Sequence, residues 1–119
     1  MSEITTTSSE LKQLTQVAEE QQITLHCSYN RTSLCRIWKT TFLVCSQTGK
    51  KAQISHALNI PWYPRWKQFS PNEPFTLIFE PLPKGCTSFD LLEDIPQYGG
   101  FMKTNILRNK SDVYRLNLS

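Results

Sequence analysis

Phe75-Thr76-Leu77-Ile78-Phe79-Glu80-Pro81-Leu82-Pro83-Lys84-Gly85-Cys86-Thr87-Ser88-Phe89-Asp90-Leu91-Leu92-Glu93 reads as two buried strands joined by a turn-rich connection. Phe75, Leu77, Ile78 and Phe79, then Phe89, Leu91 and Leu92, are the aromatic and branched types that suit a pleated surface packed on a core. Pro81 and Pro83 remove backbone donors and Gly85 loosens the chain, so the ladder must stop between the two runs.

Upstream, Ile23, Leu25, Cys27 and Tyr29 alternate with Thr24, His26 and Ser28, the period of a half-buried strand. Asn30-Arg31-Thr32-Ser33 is a polar turn. Leu34 to Cys45, containing Ile37, Trp38, Phe42, Leu43 and Val44, is β-prone and long enough to need a bend or bulge. Ser46-Gln47-Thr48-Gly49 then connects to a returning strand with Ala52, Ile54, His56 and Leu58 in alternation, the best hairpin in the chain. Pro61 to Pro74 holds Trp62, Tyr63, Trp66 and Phe69 without a sustained period, which predicts a loop or an irregular edge strand.

Downstream, Pro96 and Gly99-Gly100 mark a break before a strand over Phe101 to Leu107. Arg108-Asn109-Lys110-Ser111 turns the chain into a last strand, Val113 to Leu118. The sum is a mostly β chain of about seven strands, for which two packed antiparallel sheets are the favoured solution and a small barrel the second. Residues 1–22 differ in kind: they are polar and lack aromatics, with Thr7-Ser8-Ser9-Glu10 as a capping box and Leu11, Leu14, Val17 and Ala18 at helical spacing. The expected organisation is a polar tail with a short amphipathic helix over 1–22 and a β-sandwich domain over 23–119.

The pattern Phe-x-Leu-x-Phe-x-x-Leu-Pro followed by Ser-Phe-Asp-Leu-x-Glu, within residues 75–93, resembles one that recurs in small, largely uncharacterised bacterial domains of immunoglobulin-like β-sandwich type. Ile37-Trp38-Lys39-Thr40-Thr41-Phe42-Leu43 and Asp112-Val113-Tyr114 echo it more weakly. The resemblance implies an antiparallel immunoglobulin-like sandwich and transfers no catalytic motif.

A chain of 119 residues with 39% hydrophobic side chains can bury a core without staples or metals. No apolar run approaches the roughly 20 residues of a membrane span, and the N-terminus lacks a basic segment followed by an apolar one. A cytoplasmic location and no membrane association are therefore expected. Cys27, Cys35, Cys45 and Cys86 are read as free, mostly buried thiols, since Cys27 and Cys45 fall where strands put small apolar groups. The Asn-x-Ser/Thr sequons at Asn30, Asn109 and Asn117 are read as chance.

Between Gln21 and Asn72 there is no Asp or Glu, yet the segment holds Arg31, Arg36, Lys39, Lys50, Lys51, Arg65 and Lys67, both histidines and all three tryptophans. Cations interleaved with flat rings suit single-stranded nucleic acid, which keeps a nucleic-acid-binding module as an alternative. The competing account is cross-strand pairing with Glu73, Glu80, Asp90, Glu93 and Asp94, and a net charge of +3 is modest for a nucleic-acid binder. Trp38 is expected in the core, as one buried tryptophan is usual in such sandwiches.

Catalytic readings are thin. His26 and Cys27 point to opposite faces of a strand, so only His56 with Cys35 or Cys45 remains for a small Cys/His enzyme. Asp90 with Glu93 or Asp94 is a carboxylate pair only if a cleft brings them together. No ligand spacing suggests a metal, and no cofactor is implied. The favoured function is a non-enzymatic module that recognises another protein through Trp62, Tyr63, Arg65, Trp66 and Lys67, with Lys50 and Lys51 steering an acidic partner. Homo-oligomers through sheet edges or the N-terminal apolar stripe are a further expectation.

Overall fold

The computed structural model describes residues 21–119, so the short helix expected through Leu11, Leu14, Val17 and Ala18 lies outside the described residues. The described residues hold nine strands: β1 (Ile23–Ser28), β2 (Ser33–Cys35), β3 (Thr41–Cys45), β4 (Lys51–Leu58), β5 (Lys67–Phe69), β6 (Phe75–Phe79), β7 (Ser88–Glu93), β8 (Met102–Leu107) and β9 (Val113–Asn117). Seven form one sheet in the order β9-β1-β6-β4-β3-β7-β8, and β2 pairs with β5 in a separate ribbon. The two runs at 75–93 are both strands, but β4 and β3 lie between them in the sheet.

That order forces the sheet to curl. Among the described residues β8 and β9 are its opposite edges, yet only residues 108–112 separate them in sequence. Seven strands laid flat would hold their edges about 29 Å apart at ~4.8 Å per neighbour. The connection can reach only about 21 Å even when fully extended. The edges must approach, and Lys103 Nζ donates to the Asn117 carbonyl across them at 3.3 Å.

Alternation fills the interior. Ile23, Leu25 and Cys27 of β1, Phe75, Leu77 and Phe79 of β6, and Phe89 and Leu91 of β7 are all buried. Phe69 packs edge-on against Phe75, and Phe89 against Tyr114 from the far edge of the sheet. The hairpin expected at 46–49 is present, with Phe42 opposite Gln53 and Gly49 at φ 74°, where a side chain would be strained. The long run from Leu34 to Cys45 breaks into β2 and β3 around Arg36–Thr40.

Three expectations need correction. The alternation Ala52, Ile54, His56, Leu58 does not hold to the end of β4. A register shift between Ile54 and His56 inserts Ser55, whose hydroxyl bonds the Ile78 carbonyl, so Ala57 turns inward and His56 and Leu58 outward. The sheet is not wholly antiparallel, because β9 runs parallel to β1. Five antiparallel pairings lead from β1 to β8, so β8 runs opposite to β1 and the reversal at 108–112 turns β9 parallel to it. The cysteines are not all free: Cys45, at the end of β3, is disulfide-bonded to Cys86 in the 80–87 connection, with Cα atoms 5.9 Å apart, while Cys27 and Cys35 are buried thiols.

The turn between β8 and β9 is held by a buried ion pair. Arg108 Nε and Nη2 donate to the two carboxylate oxygens of Asp112 at 2.6 and 3.1 Å. Nη1 donates to the carbonyls of Pro83 and Cys86, and the Arg108 amide to Thr87. Asp112, at φ 54°, also accepts from the Tyr114 hydroxyl at 2.9 Å, and its carbonyl accepts the Thr24 amide of β1.

Two predictions follow from these closures. Asp112→Ala leaves a largely buried guanidinium without its counter-ion, and urea denaturation should show a loss of about 3 kcal/mol; a change below ~1 kcal/mol would mean that the pair is not the latch described. Opening the Cys45–Cys86 bridge, which spans 41 residues, should cost on the order of 4 kcal/mol by loop entropy, read as a lower unfolding midpoint under reductant and in the Cys45→Ala/Cys86→Ala double variant.

Candidate functional site

Beside β2 and β5, three irregular segments meet: 36–40, 61–66 and 94–101. The first two are joined by a parallel bridge in which the Ile37 amide donates to Pro61 at 2.9 Å and the Tyr63 amide returns to Ile37 at 2.8 Å. Ile37 is buried beneath them and fixes this frame to the core. Its neighbours Arg36 and Trp38 point outward, as alternation along an extended segment requires.

Trp38 and Tyr63 stack with ring centroids 3.8 Å apart, and the Tyr63–Pro64 peptide bond is cis. The Arg36 guanidinium sits among three rings, 3.9 Å from the Trp66 centroid, 4.6 Å from Tyr63 and 5.6 Å from Trp38. Its Nη1 donates to the Pro64 carbonyl at 3.1 Å, while its buried Nε has no hydrogen-bond partner among the described residues. The ring faces supply the electron-rich surface around that nitrogen, and each desolvated cation–ring contact contributes about 0.5–2 kcal/mol. The stack thus has a cationic brace, which makes its rings a rigid wall.

Hollows lie on both sides of this wall. One, of about 230 Å³, is bounded by Arg36, Trp66, Leu34, Tyr29, Glu93 and Tyr98. The other, of about 240 Å³, lies among Ile37, Trp38, Thr40, Trp62 and Tyr63, with Lys39 over the Trp62 ring at 5.9 Å. Tyr63 and Trp66 are about half exposed, at 49% and 55%, and Leu34 and Tyr98 also stand clear of the core.

Glu93, the buried end of β7, forms the floor. Oε2 accepts from the Trp38 amide at 2.9 Å and lies 3.1 Å from the Thr41 hydroxyl; Oε1 accepts from the Phe101 amide at 3.2 Å. Burial pushes the Glu93 carboxyl above its ordinary range, opposed by the amides of Trp38 and Phe101, the Thr41 hydroxyl and the Arg36 charge. Gly100 completes the return of the chain, because a Cβ there would lie 2.7 Å from the Glu93 carbonyl oxygen. The Gly99-Gly100 break is therefore a close backbone approach as well as a turn.

The residues singled out from sequence separate into groups. Tyr63 and Trp66 belong to the wall, Trp62 is half-buried behind it, and Arg65 is exposed on the same loop. Lys67 is engaged elsewhere: it pairs with Glu73 at 2.7 Å and reaches Asn59 Oδ1 at 2.6 Å. That contact, with the Ser70 amide and Asn59, holds the Glu73 carboxylate well below its usual range, at about 2. Lys50 and Lys51 sit at the hairpin end of β4, eight residues of strand from the loop that follows Leu58, and Lys51 covers the Phe42 ring. Trp38, expected in the core, is half-buried in the wall.

Arg36 and Glu93 are legible in the sequence only as a member of the basic segment and of a carboxylate pair, and Leu34 and Tyr98 not at all. The signal for the first was present, since Arg36 and Trp38 are two apart on a β-prone run. Tyr98 belongs to a loop whose approach to the wall depends on Glu93, which no local pattern reveals.

The chemistry candidates fare differently. Cys45 is bonded to Cys86, and burial pushes the Cys27 thiol up to about 12 and that of Cys35 upward as well, away from the thiolate form. His56 Nδ1 lies 3.2 Å from the Ser55 hydroxyl. Asp90 faces outward and accepts the Asn105 amide at the β7–β8 bulge, whereas Glu93 faces inward, so the two carboxylates are on opposite faces. Among the described residues no group of three His, Cys, Asp or Glu side chains is placed to hold a metal, and no helix is long and apolar enough to cross a membrane. Compared with known proteins, the chain matches no family model, no curated protein and no solved structure.

The Glu93 environment gives a pH prediction. A carboxyl whose folded pKa lies above its unfolded value of about 4.5 contributes stability below that value and loses it as pH rises through the folded pKa. Glu93→Gln cannot ionise. Relative to it, the wild type should be more stable at pH 4.5 than at pH 8 in paired urea titrations; a difference that is flat or grows with pH would refute the assignment.

Proposed function

We propose that this chain is a non-enzymatic module that binds another protein through the wall and its flanking hollows. Leu34, Tyr63, Trp66 and Tyr98 form the contact, Arg36 braces it, and Arg65 and Lys39 give its rim a positive charge. The observation that carries the reading is the exposure of large rings on a rigid frame. Aromatic side chains half clear of the core, braced by a cation and fixed by backbone bonds, lose little conformational freedom on binding, which is the property of interface anchors. The scaffold in this reading is an immunoglobulin-like sandwich, the curled sheet folding β9-β1-β6-β4 over β3-β7-β8 around a shared phenylalanine core.

Retention of partners on the immobilised chain from lysate, with and without nuclease, tests this function. A protein retained in stoichiometric amount after nuclease treatment is the expected outcome. Trp66→Ala and Tyr98→Ala should each weaken its binding at least tenfold, about 1.4 kcal/mol, while the Lys50→Ala/Lys51→Ala variant retains it. Retention that disappears with nuclease would replace this reading with the nucleic-acid module.

A further inference from the structure

On the outer face of β9, β1 and β6, away from the aromatic wall, parallel and antiparallel registers bring Arg115, His26 and Thr76 into one row. The next row along the strands places Asn117 beside Ser28. Between these rows and the Asn72–Pro74 corner lies an open cleft of about 350 Å³ whose polar lining is His26, Ser28, Asn72, Arg115 and Asn117, with Cys27, Pro74 and Leu116 as its apolar part. Among the described residues no Asp or Glu lines it. Lys103, whose Nζ bonds the Asn117 carbonyl, adds a second positive charge at its edge.

The geometry points to a binding site for the phosphate group of a small phosphorylated molecule in this cleft. Arg115 makes no hydrogen bond or ion pair within the described chain, so its guanidinium is available to take two oxygens of a tetrahedral anion. The Thr76 hydroxyl is 2.9 Å from His26 Nδ1; when it donates to that nitrogen, the proton of the ring sits on Nε2 and the imidazole is a donor. Ser28, Asn72 and Asn117 add neutral donors around the same space. A dianion with several oxygens uses this number of converging donors, whereas a monocarboxylate leaves some without an acceptor. The volume exceeds what a bare phosphate fills and falls at the small-molecule scale, which leaves room for the group that carries the phosphate.

The test is NMR titration of the full chain with inorganic phosphate, then with ribose 5-phosphate and ribose, at constant ionic strength. Phosphate should give saturating shifts at His26 and at the side-chain amides of Asn72 and Asn117. Ribose 5-phosphate should bind more tightly than phosphate, and ribose should not bind. Arg115→Ala, an exposed substitution that leaves the fold intact by its unfolding midpoint, should weaken binding at least tenfold, with partial recovery in Arg115→Lys. Absent saturation, equal shifts with chloride or undiminished binding in Arg115→Ala would each overturn the site. Acetate binding as tightly as phosphate would overturn the ligand class.

Discussion

The Arg108–Asp112 pair is the constraint on which this architecture turns. A seven-stranded sheet with consecutive strands at its two edges has to be bent until those edges meet, and the bend must be held at the turn that joins them. Arg108 holds it by bonding the Asp112 carboxylate and the carbonyls of the 80–87 connection at once. With side chains only 12% and 6% exposed, neither member can be removed without leaving a buried charge. The Cys45–Cys86 bridge fastens the same connection to β3, so one loop is tied covalently on one side and electrostatically on the other.

Closure of the sheet frees the chain to place its larger rings outside. The interior is filled by phenylalanines, with Phe69, Phe75, Phe79 and Phe89 among its largest fully buried side chains. None of the three tryptophans is needed there, and all lie in the two segments that the Ile37–Trp62 bridge holds together. Indole is amphipathic and stacks well on a guanidinium, so Trp66 over Arg36 is stable at a water boundary where another phenylalanine would be less so. The separation between a phenylalanine core and a tryptophan surface is thus a physical one.

Sequence patterns revealed the strands and hid their arrangement. Alternation at Ile23–Cys27 and at Phe75–Phe79, and the Gly49 hairpin, are local properties and were legible as such. The bulge at Ser55 was not, because the period of β4 is correct up to Ile54 and only the partner strand requires the extra residue. The 108–111 turn could be read from its composition, but its function as a latch depends on carbonyls more than 20 residues away. The aromatic loop was visible as a cluster; that Lys67 is taken up by Glu73 while Arg36 joins the rings is a matter of register between β2 and β5.

Glu93 links the two halves of this account. A buried carboxyl with a raised pKa costs stability whenever it ionises, a cost that leucine at this position would not carry. What the carboxyl provides that leucine cannot is two acceptor oxygens directed at backbone donors in separate loops, the amides of Trp38 and Phe101. One side chain therefore sets the distance between the segment bearing the aromatic wall and the segment bearing Tyr98. Because the Glu93 amide also donates to the Phe101 carbonyl, and Gly100 lets the chain pass within contact of the Glu93 backbone, that distance is fixed at three points rather than one. The width of the hollow between Trp66 and Tyr98 is thus determined from the core, at the expense of some stability, and not by the exposed rings themselves.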